Sequence, residues 1–435
     1  MTIDTGFIEL MKATCPAAFS REVPCTPDAG FLDGQLKLQI PDFIKTWPEF
    51  LRVQFVNPIM RLYATGIQTV ILSLDNYTLV PGAKFPTQKK RSTKIACLPW
   101  SEREHLPSSV PPNYGTLIFN RQFKARVCQL IVSQIASLVT LGDNRTLIVD
   151  YNQTAIEWFN AEDDPKPRSG HVQLGESDVK FCQYLEPNKE MVCDSVDGDY
   201  VIIALCQIER AIANGETPPG IIVRRIEVKK HGTKRPRVDP DEGQRPRRQY
   251  EYVDCGAVFV SLLKHFRTTY GVTARCRGHE MRLLAWVIAS TGCDFTAGIP
   301  RIGAGTFWKN MGLVWKNLQE AYDPVSGEFS VRLLADTVIA PLLFQVHRKH
   351  ADIGTHKNIT ALLRSLQSAT TLSEKSRDAL PTVVDISCII RNSNWSVKYW
   401  WDASTVPSSI DPRYGFVSSK KNGETQRDPL SKLDD

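Results

Sequence analysis

The chain has 435 residues, a length that predicts two or three structural units at roughly 100–200 residues each. Apolar residues make up 42% and charged residues 23%, which excludes wholesale disorder, and the net charge of +6 permits a polyanionic partner without requiring one. No apolar run approaches the ~20 residues that cross a bilayer, and Met1–Leu10 lacks the basic start of a secretory signal, so an ordinary membrane or exported protein is excluded.

In chain order, the β-branched and apolar runs Val53–Val56 and Thr69–Leu74 read as strands, the second short enough to be a buried parallel strand. Helical apolar spacing covers Arg121–Val139, and Thr146–Val149 is a further buried-strand candidate after the turn Gly142-Asp143-Asn144. Glu190–Val192 and Tyr200–Leu205 flank an acidic knot. This alternation predicts an α/β fold with a mainly parallel sheet over residues 1–228. Lys229–Arg248 then carries eight basic and three acidic residues with three prolines and little apolar content, the composition of an exposed, mobile insertion. Tyr250–Asp254 is strand-like, Ala257–Phe266 and Glu280–Thr291 are helical, and helical periodicity dominates Phe307–Leu366. The organisation is completed by an internal region 249–325, a mainly helical region 326–417 and a polar tail 418–435. Eleven cysteines without a Cys-x-x-Cys pair, and no clustered histidines, argue against zinc or a disulfide framework and for an intracellular setting.

Four places put carboxylates at or just beyond the end of an apolar stretch: Asp75, Glu176 with Asp178, Asp197 with Asp199, and Asp294. In a parallel sheet such groups converge at the carboxyl ends of strands. Carboxylates gathered there repel one another unless a cation neutralises them, and Mg²⁺ prefers hard oxygen ligands. Singly each motif is ordinary, since Asp-Gly-Asp suits a turn and Glu-Ser-Asp suits a helix cap.

Order and spacing carry more. Val70-Ile71-Leu72-Ser73-Leu74-Asp75, Gly175-Glu176-Ser177-Asp178, Ser195-Val196-Asp197-Gly198-Asp199 and Gly292-Cys293-Asp294-Phe295 follow one another, with Glu176 21 residues before Asp197. A glycine-rich stretch, Thr296-Ala297-Gly298-Ile299-Pro300-Arg301-Ile302-Gly303-Ala304-Gly305, comes directly after. Over roughly residues 1–320 this pattern resembles the flap endonuclease and 5′-nuclease superfamily. The resemblance implies a PIN-like core with a helical arch and a helix–two-turn–helix. It also implies one or two Mg²⁺ ions, replaceable by Mn²⁺, held by Asp75, Glu176, Asp178, Asp197, Asp199 and Asp294. The family's remaining acid ends the first strand; Asp4 fits that place, and Asp42, which could also cap a helix running from Phe43 to Leu51, is its rival.

The resemblance further implies that the arch begins near Lys84–Arg91, where Lys89, 14 residues after Asp75, would hold the scissile phosphate with Lys84 or Arg91. A solvated basic helix face is the ordinary alternative. Gly298, Ile299, Arg301, Ile302, Gly303, Gly305 and Lys309 would grip a duplex backbone, supported in the family by a monovalent cation. The ordinary alternative is a plain connecting turn. Ala304-Gly305 departs from relatives that carry a basic residue there. Lys229–Arg248 suits nuclear import or nucleic-acid contact. Trp395 and Tyr399-Trp400-Trp401 suit either base stacking or a core.

The expectation is therefore a nuclear, Mg²⁺-dependent nuclease with DNA as its preferred partner, cutting near single-strand/duplex junctions. An RNA-directed 5′→3′ exonuclease shares the acidic layout, and a degenerate nuclease fold kept for nucleic-acid binding is the non-enzymatic alternative.

Overall fold

The computed structural model describes residues 5–41, 43–75, 100, 105–142, 144–151, 154–159, 164–171, 174, 177–195, 197–226, 250–292, 298–352 and 354–402. Within them lies a sheet of nine strands: β1 (Phe19–Ser20), β2 (Ala29–Asp33), β3 (Thr69–Ser73), β4 (Thr146–Tyr151), β5 (Thr154–Phe159), β6 (Lys166–Pro167), β7 (Glu190–Asp194), β8 (Gly220–Ile226) and β9 (Tyr250–Asp254). The centre is parallel, in the order β4-β3-β2-β7-β8. Antiparallel β5 and β6 extend one edge, and antiparallel β9 followed by β1 extends the other. The expected α/β architecture with a mainly parallel sheet is present.

Side chains that alternate along each central strand build two cores. Phe31, Ile71, Ile148, Cys193 and Val223 face one side, while Leu32, Val70, Leu147, Val192 and Ile222 face the other. Both faces are covered by helices, which is why these strands read as nearly continuous apolar runs. On the second face the helix Arg121–Leu138 presents Phe123, Val127, Ile131 and Ile135, spaced four residues apart. Asn120 starts it, its side-chain oxygen accepting from the N–H groups of Gln122 and Phe123 at 2.9 and 3.1 Å.

Two readings of this face need correction. Val53–Val56 is no strand: Arg52–Val56 is a π-helical turn joining the helices Trp47–Leu51 and Asn57–Ala64. Phe50, Phe55, Ile59 and Leu62 belong to one helical stripe, and Pro58, lacking an N–H, follows the widened turn. The first of these helices starts at Trp47 under a Thr46 cap rather than at Phe43, and Asp42 lies outside the described residues.

The first face carries the larger core. The helices Asp199–Ala213, Cys255–Thr269, Glu280–Ser290 and Met311–Ala321 pack there together with Val383–Trp401. The carboxyl-terminal helices are thus continuous with the core of the sheet. Trp395, Tyr399 and Trp400 are buried within it, and Gln207 Nε2 donates to the Trp400 carbonyl at 2.6 Å. These aromatics are core, and base stacking by them is ruled out. The helical stretch also contains an unanticipated hairpin, Tyr322–Asp323 with Glu328–Phe329. Among the described residues no helix is long and apolar enough to cross a membrane. The expected basic insertion and polar tail, Lys229–Arg248 and 418–435, lie outside the described residues.

Candidate functional site

The strand order reverses at β2: the chain builds β3 and β4 on one side of it, then β7 and β8 on the other. In open α/β sheets the crevice beyond the carboxyl end of that strand is where ligands bind. Here β2 ends at Asp33, a residue the sequence reading did not select. Asp33 is buried, its Oδ1 accepts from Gln35 N–H at 3.0 Å, and Ser195 Oγ donates to its Oδ2 at 3.2 Å. Gly34 lets this end approach β3, because a Cβ there would stand 2.7 Å from the Ser73 carbonyl oxygen.

Asp75 follows β3 and accepts from the Ser177 N–H at 2.9 Å. Ser177 Oγ also meets Ser73 Oγ at 3.0 Å, so the short helix Ser177–Lys180 is docked onto the end of β3 with Asp178 buried beside it. Lys180, fully buried, completes the attachment. Its Nζ donates at 2.8 Å to the Leu74 carbonyl and to Asp150 Oδ1, and Tyr184 OH donates to Asp150 Oδ2 at 2.7 Å. His171 Nε2 lies 3.3 Å from Asp150 Oδ1. Burial alone would raise the Asp150 carboxyl, but the Lys180 ammonium and then His171 outweigh it and hold it below its usual range.

Beyond β7, Asp197 Oδ1 accepts from the Asp199 N–H at 3.2 Å, and the Asp197 N–H donates to Ser195 Oγ at 3.1 Å. Asp199 is buried as the first residue of its long helix. Asp194 is neutralised separately, by Arg224 through two hydrogen bonds of 3.1 and 2.7 Å and by Lys37 at 3.4 Å. Among the described residues no ion pair reaches Asp33. Burial, then the charge of Asp75, then those of Asp197 and Asp178, push its carboxyl up to about 7 against the opposing Gln35 hydrogen bond. Four aspartates from β2, β3, β7 and the short helix therefore share one field.

The structure brings together Asp75, Asp178 and Asp197 from the expected set, with Asp199 next along the chain, and adds Asp33. Asp4, Glu176 and Asp294 lie outside the described residues, as do Lys84, Lys89 and Arg91. The first parallel strand ends at Asp33; Asp42, like Asp4, lies outside the described residues. Among the described residues, no three His, Cys, Asp or Glu side chains are already gathered tightly enough to hold a metal ion.

The glycine-rich turn links the helix Glu280–Ser290 to Ala304–Lys309. Ile299 and Ile302 are buried anchors, so their side chains are not available to a ligand. Arg301, at φ +66°, Gly303, Gly305 and Lys309 are exposed. Gly298 is required by packing, since a Cβ would stand 2.2 Å from the Thr291 carbonyl oxygen, whereas nothing lies within 4 Å of a Cβ at Gly303 or Gly305. Those two glycines are free of any packing demand.

No family model matches this chain, and no curated protein matches it.

Proposed function

We propose that this chain is a metal-dependent, structure-specific 5′ nuclease of the flap endonuclease-like group, with a PIN-like core, acting on DNA in the nucleus. The observation that carries the reading is the convergence of Asp33, Asp75, Asp178 and Asp197 on the switch-point crevice, where their like charges act on Asp33. The donor set fits Mg²⁺: it consists of hard carboxylate oxygens whose mutual repulsion a cation would relieve. Asp33, Asp75, Asp178 and Asp197 would hold the ion, with Glu176, Asp199 and Asp294 available along the chain. Bound there, Mg²⁺ would supply Lewis-acid activation of water and of the phosphodiester.

The chain's own residues do the rest. Ser195 fixes one Asp33 oxygen and the Asp197 N–H together. Ser177 and Lys180 fix the helix that bears Asp178 to the strand end that bears Asp75. The exposed backbone at Gly303–Gly305, beside Arg301 and Lys309, would meet a duplex backbone without reading sequence. Lys84, Lys89 and Arg91 are the proposed phosphate contacts.

The test is cleavage of labelled 5′-flap, blunt duplex and single-stranded DNA and RNA, with Mg²⁺ and with EDTA. Mg²⁺-dependent cutting near the flap junction is expected, with a 5′-phosphate on the product. Gly303→Val, whose Cβ would have nothing within 4 Å among the described residues, should lower cutting of duplex-containing substrates and spare a short single strand. Equal rates on every substrate would make the turn a connector and move the RNA exonuclease reading ahead. No cutting of any substrate would favour the binding-only reading.

A further inference from the structure

Roughly 20 Å along the helix Asp199–Ala213 from the carboxylates, a cavity of about 310 Å³ opens at that helix's carboxyl end. The hairpin loop Pro324–Gly327 and the end of the helix Val383–Trp401 form its other walls. Arg282, Lys398, His279, Trp401 and Asp402 line it. The Arg282 guanidinium lies over the Trp401 ring at 3.6 Å, and its Nη1 donates to Tyr322 OH at 3.0 Å.

Arg282 is half-buried and lacks a counter-ion. Its Nε is buried with no hydrogen-bond partner, and among the described residues Arg282 makes no ion pair. The carboxylate beside it, Glu209, accepts instead from the backbone N–H groups of Met281 and Arg282 at 2.9 and 3.3 Å. Burial is the largest cause pushing Glu209 up to about 8, and its hydrogen bonds go to the backbone rather than to the Arg282 guanidinium. Burial and then the Arg282 charge hold His279 below its ordinary range, so it is uncharged at neutral pH.

A guanidinium held this way carries a desolvation cost that an anion would relieve. With Nη1 engaged and Nε buried, Nη2 is the nitrogen left to donate to an oxygen of an acid group. Lys398 reaches Glu328 only at 3.8 Å and offers a second cation, against one rim carboxylate, Asp402. The volume sits at the lower end of small-molecule sites, which run from about 300 Å³.

We propose that this cavity binds a small phosphomonoester of sugar-phosphate or mononucleotide size, gripped by Arg282 with Lys398. The site stands apart from the nuclease reading and survives its failure. The two ligand sources are separated by titrating ribose 5-phosphate and adenosine 5′-monophosphate, with inorganic phosphate and acetate alongside. Calorimetry in EDTA at low salt keeps metal-mediated binding out. Saturable binding of a phosphomonoester with Kd below about 1 mM is expected. Arg282→Gln should weaken it roughly tenfold or more, as loss of a charge-assisted hydrogen bond does. Lys398→Gln should weaken it severalfold and Asp402→Asn should tighten it. Lys398 is 42% exposed, so its variant reports even if Arg282→Gln fails to fold. Absence of saturation up to about 10 mM, acetate binding as tightly as the phosphates, or binding unchanged by Lys398→Gln would overturn the proposal.

Discussion

Asp33→Asn and Asp197→Asn should each lower Mg²⁺-dependent cleavage by roughly a thousandfold or more, because each removes a ligand charge from the crevice. Both changes keep one backbone hydrogen bond, and at position 33 the bond from Ser195 Oγ is lost or reversed. An Asn oxygen at position 33 still accepts from Gln35, and one at position 197 still accepts from Asp199. Asp33 sits among like charges, so its neutral variant should melt at or above the wild-type temperature. Substrate binding, measured in Ca²⁺ or EDTA, should be nearly unchanged. Retained turnover in both variants, with normal melting, would remove these aspartates from the chemistry.

The largest stability effect should come from Lys180→Met. Lys180 and Asp150 are both fully buried, and Lys180 is the cation that also ties the Leu74 carbonyl. Removing it leaves the buried Asp150 charge to His171 and Tyr184, and a broken buried pair costs up to about 3–5 kcal/mol. Asp150→Asn added to Lys180→Met should recover much of that loss, since Tyr184 can still donate to an amide oxygen. Denaturant unfolding of the single and double variants measures the difference. A loss under about 1 kcal/mol for Lys180→Met would mean that water reaches the pair and the burial is not felt. The pair also makes the fold acid-sensitive. Lys180 and His171 hold the folded-state Asp150 below its unfolded value, so its contribution is present above about pH 4 and is lost as pH falls through the lowered value.

How much of this was legible in the sequence depends on element length. Thr69–Leu74, Arg121–Val139 and Tyr250–Asp254 carry patterns strong enough to read, and the structure places β3, the helix Arg121–Leu138 and β9 there. Ala29–Asp33 carries no such pattern. It has five residues, one a glycine, and no flanking alternation, yet it is the central strand. With β2 unread, Asp33 was not among the acids picked out. The available signal was local: Leu32-Asp33 repeats the apolar–Asp ending of Leu74-Asp75. Val53–Val56 failed for the opposite reason. Three apolar or β-branched residues in four looked like a strand because the helical stripe was read over too short a window. The partnership of Lys180 with Asp150 was out of reach, since it joins residues thirty apart through a fold no local pattern reports.

Everything proposed about chemistry rests on the switch-point crevice holding divalent ions. Titrating the wild-type protein with Mn²⁺ and following free ion by electron paramagnetic resonance tests that without any substrate. One or two ions should bind per chain, Mg²⁺ should compete for them, and Asp33→Asn with Asp197→Asn should abolish the binding while the protein stays folded. Mn²⁺ that remains entirely free, or binds equally well to the double variant, would contradict the account.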